Sequence, residues 1–262
     1  MKLNKVKPKY ISKSNPRIGL ITLGSDFRIE KDFNNVIYGK DIDLYVNRIH
    51  CYNPLTNETL AKMADDITDV TKEILPSQKM ECVAYGCTSG TVAAGYETIR
   101  SKINLAKPDA KVTTPITSAI KAIKKFDIKK ISIFNPYTKT INNSVVNYFK
   151  KENISVNSLT YFDIASDLDI GKVDENYLFE VLSKIDLEDS DALFVSCTAL
   201  PVLSIINKLE KKLNKIILSS NQTLIWDTLS LIGNKNPVVG FGKIFEVNKK
   251  YCLKVSLIDK TP

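Results

Sequence analysis

The chain contains 262 residues, of which 44% are hydrophobic and 25% are charged, and its formal net charge is +8 at pH 7. This composition is typical of a folded globular protein and excludes a mainly disordered chain. The lysines are scattered as pairs, without an arginine-rich run interleaved with aromatic residues, so we do not expect nucleic-acid binding.

Short β-rich runs alternate with helical stretches, which is the pattern of an α/β fold with parallel sheets. A basic tail, residues 1–15, comes first and is predicted to be flexible. The predicted strands span residues 17–23, 43–49, 80–85, 130–134, 154–160, 191–196 and 215–218. The predicted helices span about residues 57–75, 89–105, 116–126, 138–151, 174–186, 200–213 and 221–232.

The chain carries no sequence signal for a membrane or for a metal. No apolar run approaches the roughly 18 to 20 residues that span a bilayer, and the N-terminus lacks the apolar segment of a secretory signal. We therefore expect a cytoplasmic location and no membrane partner. Five cysteines then indicate reduced thiols rather than a disulfide framework. Because His50 is the only histidine and no CxxC pair occurs, we expect neither a metal nor another cofactor.

Two short segments of the chain are alike. "VAYGCTSG" at 83–90 and "LFVSCTAL" at 193–200 each lead from an apolar run through a small residue into Cys-Thr. Their cysteines, Cys87 and Cys197, lie 110 positions apart (197 − 87 = 110). The pairs at 46–47 and 156–157 are both Val-Asn and have the same offset.

An apolar stripe with the spacing of one helix face follows each cysteine at the same offset. Its members are Val92, Tyr96, Ile99 and Ile103 in the first copy, and Val202, Ile206, Leu209 and Leu213 in the second. The repeat predicts two similar Rossmann-like (flavodoxin-like) α/β halves with parallel four-stranded sheets and pseudo-twofold symmetry. Residues 1–115 plus 221–262 would form the first half, and residues 116–220 the second.

The repeat also predicts where the active site lies. Ligands of parallel sheets bind at the carboxyl ends of the strands, so two facing halves would place both Cys-Thr loops in one cleft. A cysteine between a strand and a helix meets backbone N–H groups and the positive end of the helix dipole, and both lower its pKa. The hydroxyls of Thr88, Ser89 and Thr198 and the turn amides can hold a carboxylate or a developing enolate.

Two opposed thiols allow two kinds of chemistry without a cofactor. One thiolate can remove a proton from one face of a substrate while the other thiol delivers a proton to the opposite face. Alternatively, a thiolate adds to an activated double bond, the partner thiol protonates the adduct, and rotation and elimination follow.

The motifs resemble those of the aspartate/glutamate racemase superfamily, and most closely its branch of maleate cis–trans isomerases and arylmalonate decarboxylases. The resemblance runs from "IGLITLGSD" through "YGCTSG", "NPYTKTINN" and "SCTALP" to "SSNQTLIWDTL" and "GFGKIF". It implies a cofactor-independent isomerase or racemase of a small carboxylate. We also expect a homodimer or a higher homo-oligomer.

The resemblance implies roles for individual residues. Cys87 corresponds to the nucleophilic cysteine that adds to the double bond in maleate isomerases, and Cys197 corresponds to the opposing acid/base cysteine. Tyr137 falls where the family has a tyrosine that hydrogen-bonds a substrate carboxylate. Arylmalonate decarboxylases keep only the second cysteine, so Cys87 argues against decarboxylation. The two anion-binding turns contain Thr88, Ser89, Thr198 and Ala199.

Two departures from the maleate isomerases concern the substrate. Asp26, after Ser25, and Asp167 stand where those enzymes have asparagines that help bind substrate carboxylates. An ionised aspartate repels a carboxylate and accepts a hydrogen bond from an ammonium, amidine or amide group. We therefore predict that plain maleate is not the substrate. Relatives found in ectoine utilisation offer a comparison, since ectoine carries one carboxylate and a cyclic amidine.

Several residues have weaker signals. Arg48, near the end of the second strand, is predicted to bind a substrate anion. Ser219, Ser220 and Asn221 are predicted to line the site or to cap the next helix. The remaining cysteines are predicted to be packing residues: Cys51, Cys82 and Cys252. The alternative functions are an arylmalonate-type decarboxylase and a non-catalytic protein that binds a small metabolite.

Overall fold

A computed structural model describes residues 1, 3–11 and 14–246 of the chain. The described strands are β1 (Arg17–Leu23), β2 (Asp43–Ile49), β3 (Cys82–Gly86), β4 (Lys111–Thr113), β5 (Lys130–Asn135), β6 (Ser155–Tyr161), β7 (Ala192–Val195) and β8 (Ile216–Ser219). They form two parallel four-stranded sheets, with the strand orders β2-β1-β3-β4 and β6-β5-β7-β8. The predicted fold is therefore confirmed.

Helices connect the strands and cover both sheets. The first six are α1 (Ile29–Ile37), α2 (Asn57–Lys62), α3 (Ile67–Lys72), α4 (Thr88–Ala94), α5 (Tyr96–Ala106) and α6 (Pro115–Lys125). The other six are α7 (Lys139–Lys151), α8 (Asp167–Gly171), α9 (Glu175–Leu182), α10 (Ile206–Leu213), α11 (Ser220–Leu231) and α12 (Lys243–Glu246). Short 3₁₀ helices span Met63–Asp66 and Leu203–Ile205. Within the described residues, no helix is long and apolar enough to cross a membrane.

The inner strands carry the apolar runs that the sequence shows. Strands β3 and β7 are buried along their whole length, and β1 and β5 are buried after their first residue. Such strands read as continuous apolar runs because helices cover both faces of a parallel sheet. The edge strands β2 and β6 stay partly exposed.

The structure contains elements that the sequence patterns do not predict. Strand β4 has only three residues and follows no long apolar run, and α1 contains Asn34 and Asn35, which are poor helix formers. The predicted helix at 57–75 is wrong as one element, since it consists of α2, a 3₁₀ turn and α3. The predicted helix at 89–105 breaks at Gly95, whose φ of +85° suits glycine.

The structure supports the repeat in part. Strands β3 and β7 begin 110 positions apart (192 − 82), as do α5 and α10 (206 − 96). The Val-Asn match is wrong as a repeat. Val46 pairs with Leu20, whereas Val156 pairs with Ile131, just before the register of the β5–β6 pair shifts. The two pairs therefore occupy different heights in their sheets.

Helix α11 ties the two sheets together. It follows β8 of the second sheet, yet it contacts β3 and β4 of the first sheet and packs along α6. Helix α6 in turn contacts β8. Through these contacts, the carboxyl ends of β3 and β7 lie close to the first turn of α11. The exact division into residues 1–115 plus 221–262 and 116–220 stays a prediction.

Candidate active site

Cys87 lies at the junction of β3 and α4. It is the N-cap residue of α4, with an extended backbone (φ −143°, ψ 114°), and its Sγ accepts a hydrogen bond from the Gly90 amide at 3.2 Å. The Ser89 hydroxyl lies 4.0 Å from the same sulfur. A Cβ added at Gly90 would lie 2.8 Å from this sulfur and 2.9 Å from the Tyr85 hydroxyl. Glycine therefore permits the close packing of these groups.

Cys197 has a different backbone environment. Its φ is +99°, a conformation that costs a non-glycine residue about 1–3 kcal/mol and persists only where neighbouring contacts enforce it. No helix begins directly after it in the described chain, because bends and a 3₁₀ turn precede α10 at Ile206. The helix predicted at 200–213 begins only at Ile206, after the 3₁₀ turn, so the helix dipole predicted to act on both cysteines acts on Cys87 alone.

The structure brings the two cysteine loops together. The Thr198 hydroxyl donates to the carbonyl of Gly86 at 3.2 Å. The Ser220 hydroxyl accepts from the Cys197 amide at 3.0 Å and shares a 2.8 Å hydrogen bond with the hydroxyl of Thr88. A single serine thus links the turn that follows β7 to the start of α4.

Tyr137 lies close to Cys197. The side chain follows β5 and is buried. Burial raises its pKa well above the ordinary value, and the charges of Cys197 and then Cys87 raise it further. The hydroxyl also lies close enough to Cys197 to lower the pKa of that thiol. The tyrosine O–H is therefore available as a donor beside the Cys197 sulfur.

The thiols do not have the lowered pKa values that the sequence analysis predicts. Burial raises the pKa of Cys87 to about 12, against the smaller lowering effect of the Gly90 amide. Burial also raises the pKa of Cys197 well above its ordinary value, and the charge of Asp167 adds to this. Both residues are only 3% exposed. Desolvation outweighs the hydrogen bonds, so both thiols are protonated in this closed form.

Asp26 has one satisfied and one unsatisfied oxygen. Its Oδ1 accepts from the amides of Arg28 and Ile29 at 2.7 and 3.1 Å and so caps the start of α1. Its Oδ2 is buried and has no hydrogen-bond partner among the described residues. The Thr198 hydroxyl is near enough to lower the pKa of Asp26, yet burial dominates and raises it.

Asp167 is the first residue of α8 and lies across the cleft from the first half. The Ser25 hydroxyl donates to its Oδ2 at 2.6 Å. Burial raises the pKa of Asp167 to about 6, and the charge of Asp26 contributes to the increase. At neutral pH the Asp167 carboxyl is therefore mostly ionised, with one hydroxyl donor beside it.

Arg48 is engaged in contacts within the first half. Its Nη1 donates to the carbonyls of Leu23 and Asp26 at 3.2 and 2.7 Å, and its Nη2 pairs with Glu30 at 2.8 Å. The guanidinium therefore supports the loop that carries Asp26. A direct contact with substrate stays an untested prediction for this residue.

Contacts between the halves close the cleft. Arg28 donates from Nε and Nη2 to the carbonyl of Gly171 at 3.1 and 2.7 Å. The Phe27 ring packs so closely on Gly171 that an added Cβ would lie 2.6 Å from it. The Leu55 amide donates to the Ala165 carbonyl at 2.9 Å. Because both thiols are buried in this closed form, we expect substrate to enter when these contacts separate.

The comparison with known proteins decides the family. The model of the arylmalonate decarboxylase family matches residues 37–245 of the chain. The chain belongs to that family. Maleate isomerase of Geobacillus stearothermophilus is 24% identical over 243 residues, which cover 87% of this chain and 96% of that protein. Maleate isomerase of Alcaligenes faecalis is 22% identical over 241 residues, which cover 87% and 95%.

The fold is also that of solved structures related to this family. A mutant of Nocardia farcinica maleate cis-trans isomerase with a covalently bound succinylcysteine intermediate superposes with a TM-score of 0.83 at 18% identity. The match covers 90% of this chain and all of that one. Relatives of this member of the arylmalonate decarboxylase family thus include isomerases, and one of those isomerases forms a covalent cysteine adduct.

This family member places a third thiol at the cleft. Cys51 follows β2 by two residues and is half-buried, and burial raises its pKa to about 11. The Ser25 hydroxyl lies close enough to lower that pKa, whereas the charges of Asp167 and Asp26 raise it. Cys51 packs partly buried against the hydrophobic core, as predicted, and its thiol also lies near Ser25 of the site. Its position at the carboxyl end of β2 is the signal that could have found it.

The other predicted packing cysteines lie elsewhere. Cys82 is buried at the start of β3, at the opposite end of the strand from the site, so the structure supports a packing role for it. Cys252 lies outside the described residues. Within those residues, no group of three or more His, Cys, Asp or Glu side chains is arranged to hold a metal ion.

Proposed function

We propose that the protein is a cofactor-independent isomerase or racemase of a small carboxylate, with Cys87 and Cys197 as its catalytic pair. One observation carries this proposal: the Ser220 hydroxyl bonds both the Cys197 amide and the Thr88 hydroxyl, and so joins the two cysteine loops. Two thiols on loops joined in this way can act on one small molecule between them.

Cys87 is the proposed nucleophile or base. Opening of the cleft hydrates the thiol and removes much of the desolvation that raises its pKa, while the Gly90 amide continues to stabilise the thiolate. In the isomerase form of the reaction, the thiolate adds to one carbon of an activated double bond. The electron pair of that bond moves to the adjacent carbon, which takes the proton of Cys197.

The reaction then runs in reverse after rotation. The new single bond between the two carbons rotates, Cys197 takes a proton back, and the bond between Cys87 and carbon breaks to restore the double bond. In the racemase form, one cysteine removes the proton α to the carboxylate and the other protonates the opposite face. In both forms Tyr137 and the turn hydroxyls hold the carboxylate: that of Thr88, and that of Thr198 once it leaves the Gly86 carbonyl.

The substrate is proposed to carry an N–H-bearing or cationic end. Asp167 is mostly ionised at neutral pH, and the Oδ2 of Asp26 is a buried acceptor with no donor in the described part of the chain. A second carboxylate beside the ionised Asp167 would be repelled. An ammonium, amidine or amide group would supply the missing donor.

Solvent exchange and two cysteine variants test the proposal. An isomerase or racemase washes solvent deuterium into candidate substrates that carry one carboxylate and one N–H group. We expect Cys87→Ser and Cys197→Ser each to lower this exchange by about 10³-fold or more, whereas Cys82→Ala leaves it within a fewfold of the parent. Equal exchange in the parent and in both serine variants would refute the two-cysteine mechanism.

A decarboxylase is the second candidate, because the matching family model is that of arylmalonate decarboxylase. Release of CO₂ from an arylmalonate, retained in Cys87→Ser and lost in Cys197→Ser, would support it. Binding of a metabolite without exchange or CO₂ release would instead indicate a non-catalytic protein.

A further inference from the structure

The Cys197 turn is held on both sides by the start of α11. Before the turn, the Ser220 hydroxyl accepts from the Cys197 amide at 3.0 Å. After the turn, the Nδ2 of Asn221 donates to the carbonyl of Thr198 at 2.8 Å. Because Cys197 has a φ of +99°, these contacts oppose its relaxation to an ordinary backbone conformation.

Asp32 fixes the orientation of the Asn221 amide. Its Oδ2 accepts the second Nδ2 hydrogen of Asn221 at 2.8 Å. Both amide hydrogens therefore point at acceptors, and a flipped amide would direct Oδ1 at a carboxylate and a carbonyl instead. Asn221 is buried, and its Oδ1 finds no partner within the described chain. The carboxylate of Asp32 is thus the group that selects this orientation.

We propose that Asp32 and Asn221 are positioning residues that hold the Cys197 turn in its catalytic conformation. Asp32 lies on α1, so the pair transmits the position of the first half to the acid/base cysteine of the second half. The catalytic part of this inference rests on the proposed function, whereas the restraint on the turn does not.

The electrostatic surroundings of Asp32 make the contact sensitive to its charge. Burial and, less strongly, the charge of Asp26 raise the pKa of Asp32 to about 7, against the lowering effects of the Asn221 amide, Arg28 and Lys31. From α11, the neutral amide of Asn221 faces the carboxyl. The ionised carboxylate, the stronger acceptor, predominates only above about pH 7.

A stability cycle tests the restraint without any substrate. We expect Asn221→Ala to lower Tm by roughly 3–6 °C in the parent protein. The loss should be clearly smaller in the Cys197→Gly background, because glycine adopts a φ of +99° without strain and needs no restraint. Additive Tm changes in the double variant would overturn the inference, whether or not the protein is an isomerase.

Kinetics of substrate isomerisation or of deuterium exchange test the catalytic part. We expect Asp32→Ala to lower kcat by about 10- to 100-fold with KM within twofold of the parent, because the fault lies in the placement of Cys197. Asp32→Asn keeps an acceptor and should lose less, and it should remove a limb near pH 7 from the kcat profile. Asp41→Asn, which removes an exposed carboxylate between α1 and β2, should leave all these values unchanged.

The outcomes separate the two proposals. Unchanged kcat and pH profile in Asp32→Ala, with only a lower Tm, would reduce Asp32 to a structural residue and overturn this inference. Coupling between Asn221 and Cys197 in a protein that catalyses no exchange would keep the restraint and refute the proposed function.

Discussion

Asp26 and Asp167 differ in how each carboxyl is held, and this difference bears on substrate choice. One oxygen of Asp26 accepts hydrogen bonds from the amides at the start of α1, and the other has no partner in the described chain. Asp167 receives the Ser25 hydroxyl and titrates with a pKa of about 6. The Oδ2 of Asp26 therefore lacks a donor, whereas the Asp167 carboxylate carries a charge at neutral pH.

Replacement of both aspartates is expected to change which substrate the site accepts. We expect the parent protein to isomerise maleate slowly or not at all. The combined variant Asp26→Asn, Asp167→Asn should convert maleate to fumarate about 10- to 100-fold faster, since the Asp167 charge that repels a second carboxylate is gone. Turnover is measured at pH 7.5.

A matched control distinguishes charge in the cleft from charge elsewhere. Asp169→Asn removes an exposed carboxylate from the same helix as Asp167 and should not change maleate turnover. Fast maleate turnover by the parent would show that the two aspartates do not exclude a dicarboxylate.

At the scale of elements, the loop before α1 and the end of α8 close the site. Phe27 packs on Gly171, and Arg28 donates two hydrogen bonds to its carbonyl. The sequence analysis predicts lowered pKa values for both motif cysteines, but the structure buries both thiols and raises their pKa values. Reaction therefore depends on how often these two elements separate.

Gly171→Ala is expected to favour the separated state. The added methyl group would lie 2.6 Å from the Phe27 ring, so the ring must move and the contact weakens. A loss of about 1.4 kcal/mol in the closed state raises the open population about tenfold. We expect Cys87 and Cys197 to react with iodoacetamide about tenfold faster, as mapped by mass spectrometry.

Lys172 is exposed and follows Gly171 in the chain, so Lys172→Ala serves as the control. In this variant Cys87 and Cys197 should react with iodoacetamide at the parent rate. An unchanged rate in Gly171→Ala would mean that another contact, such as that between Leu55 and Ala165, limits opening.

At the scale of the whole molecule, buried acidic groups oppose folding at high pH. Burial raises the pKa of Asp32 to about 7 and of Asp167 to about 6, and it raises that of Asp26 as well. A carboxyl whose pKa is higher in the folded state binds protons on folding. Its stabilising effect is complete below the unfolded value near 4 and is lost as the pH rises through 6 to 7.

We therefore expect the protein to melt several degrees higher at pH 5.5 than at pH 8. Asp32→Asn should raise Tm at pH 8 and flatten this dependence, because the amide carries no charge to desolvate. Differential scanning calorimetry at matched ionic strength measures both effects. A Tm that rises from pH 5.5 to 8 in the parent would contradict the raised pKa values.

The sequence by itself determined the parallel α/β architecture, its repeat and the two cysteines after equivalent strands. Apolar runs, periodic stripes and the 110-residue offset reflect local preferences and a duplicated pattern. These signals can be recognised in the sequence without knowledge of tertiary contacts. The short β4 could not be predicted because three residues carry too little periodic signal. The break in the helix after Cys87 could not be predicted because the turn at Gly95 barely interrupts the period.

Only the tertiary structure decided the state of the thiols and the partners of the site. Desolvation outweighs hydrogen bonding at Cys87, and burial depends on segments that pack from far along the chain. Arg48 supports a loop, and Asn221 meets Asp32 across 189 positions. Such contacts leave no periodic trace in the sequence, because they depend on how two sheets and α11 come together in space.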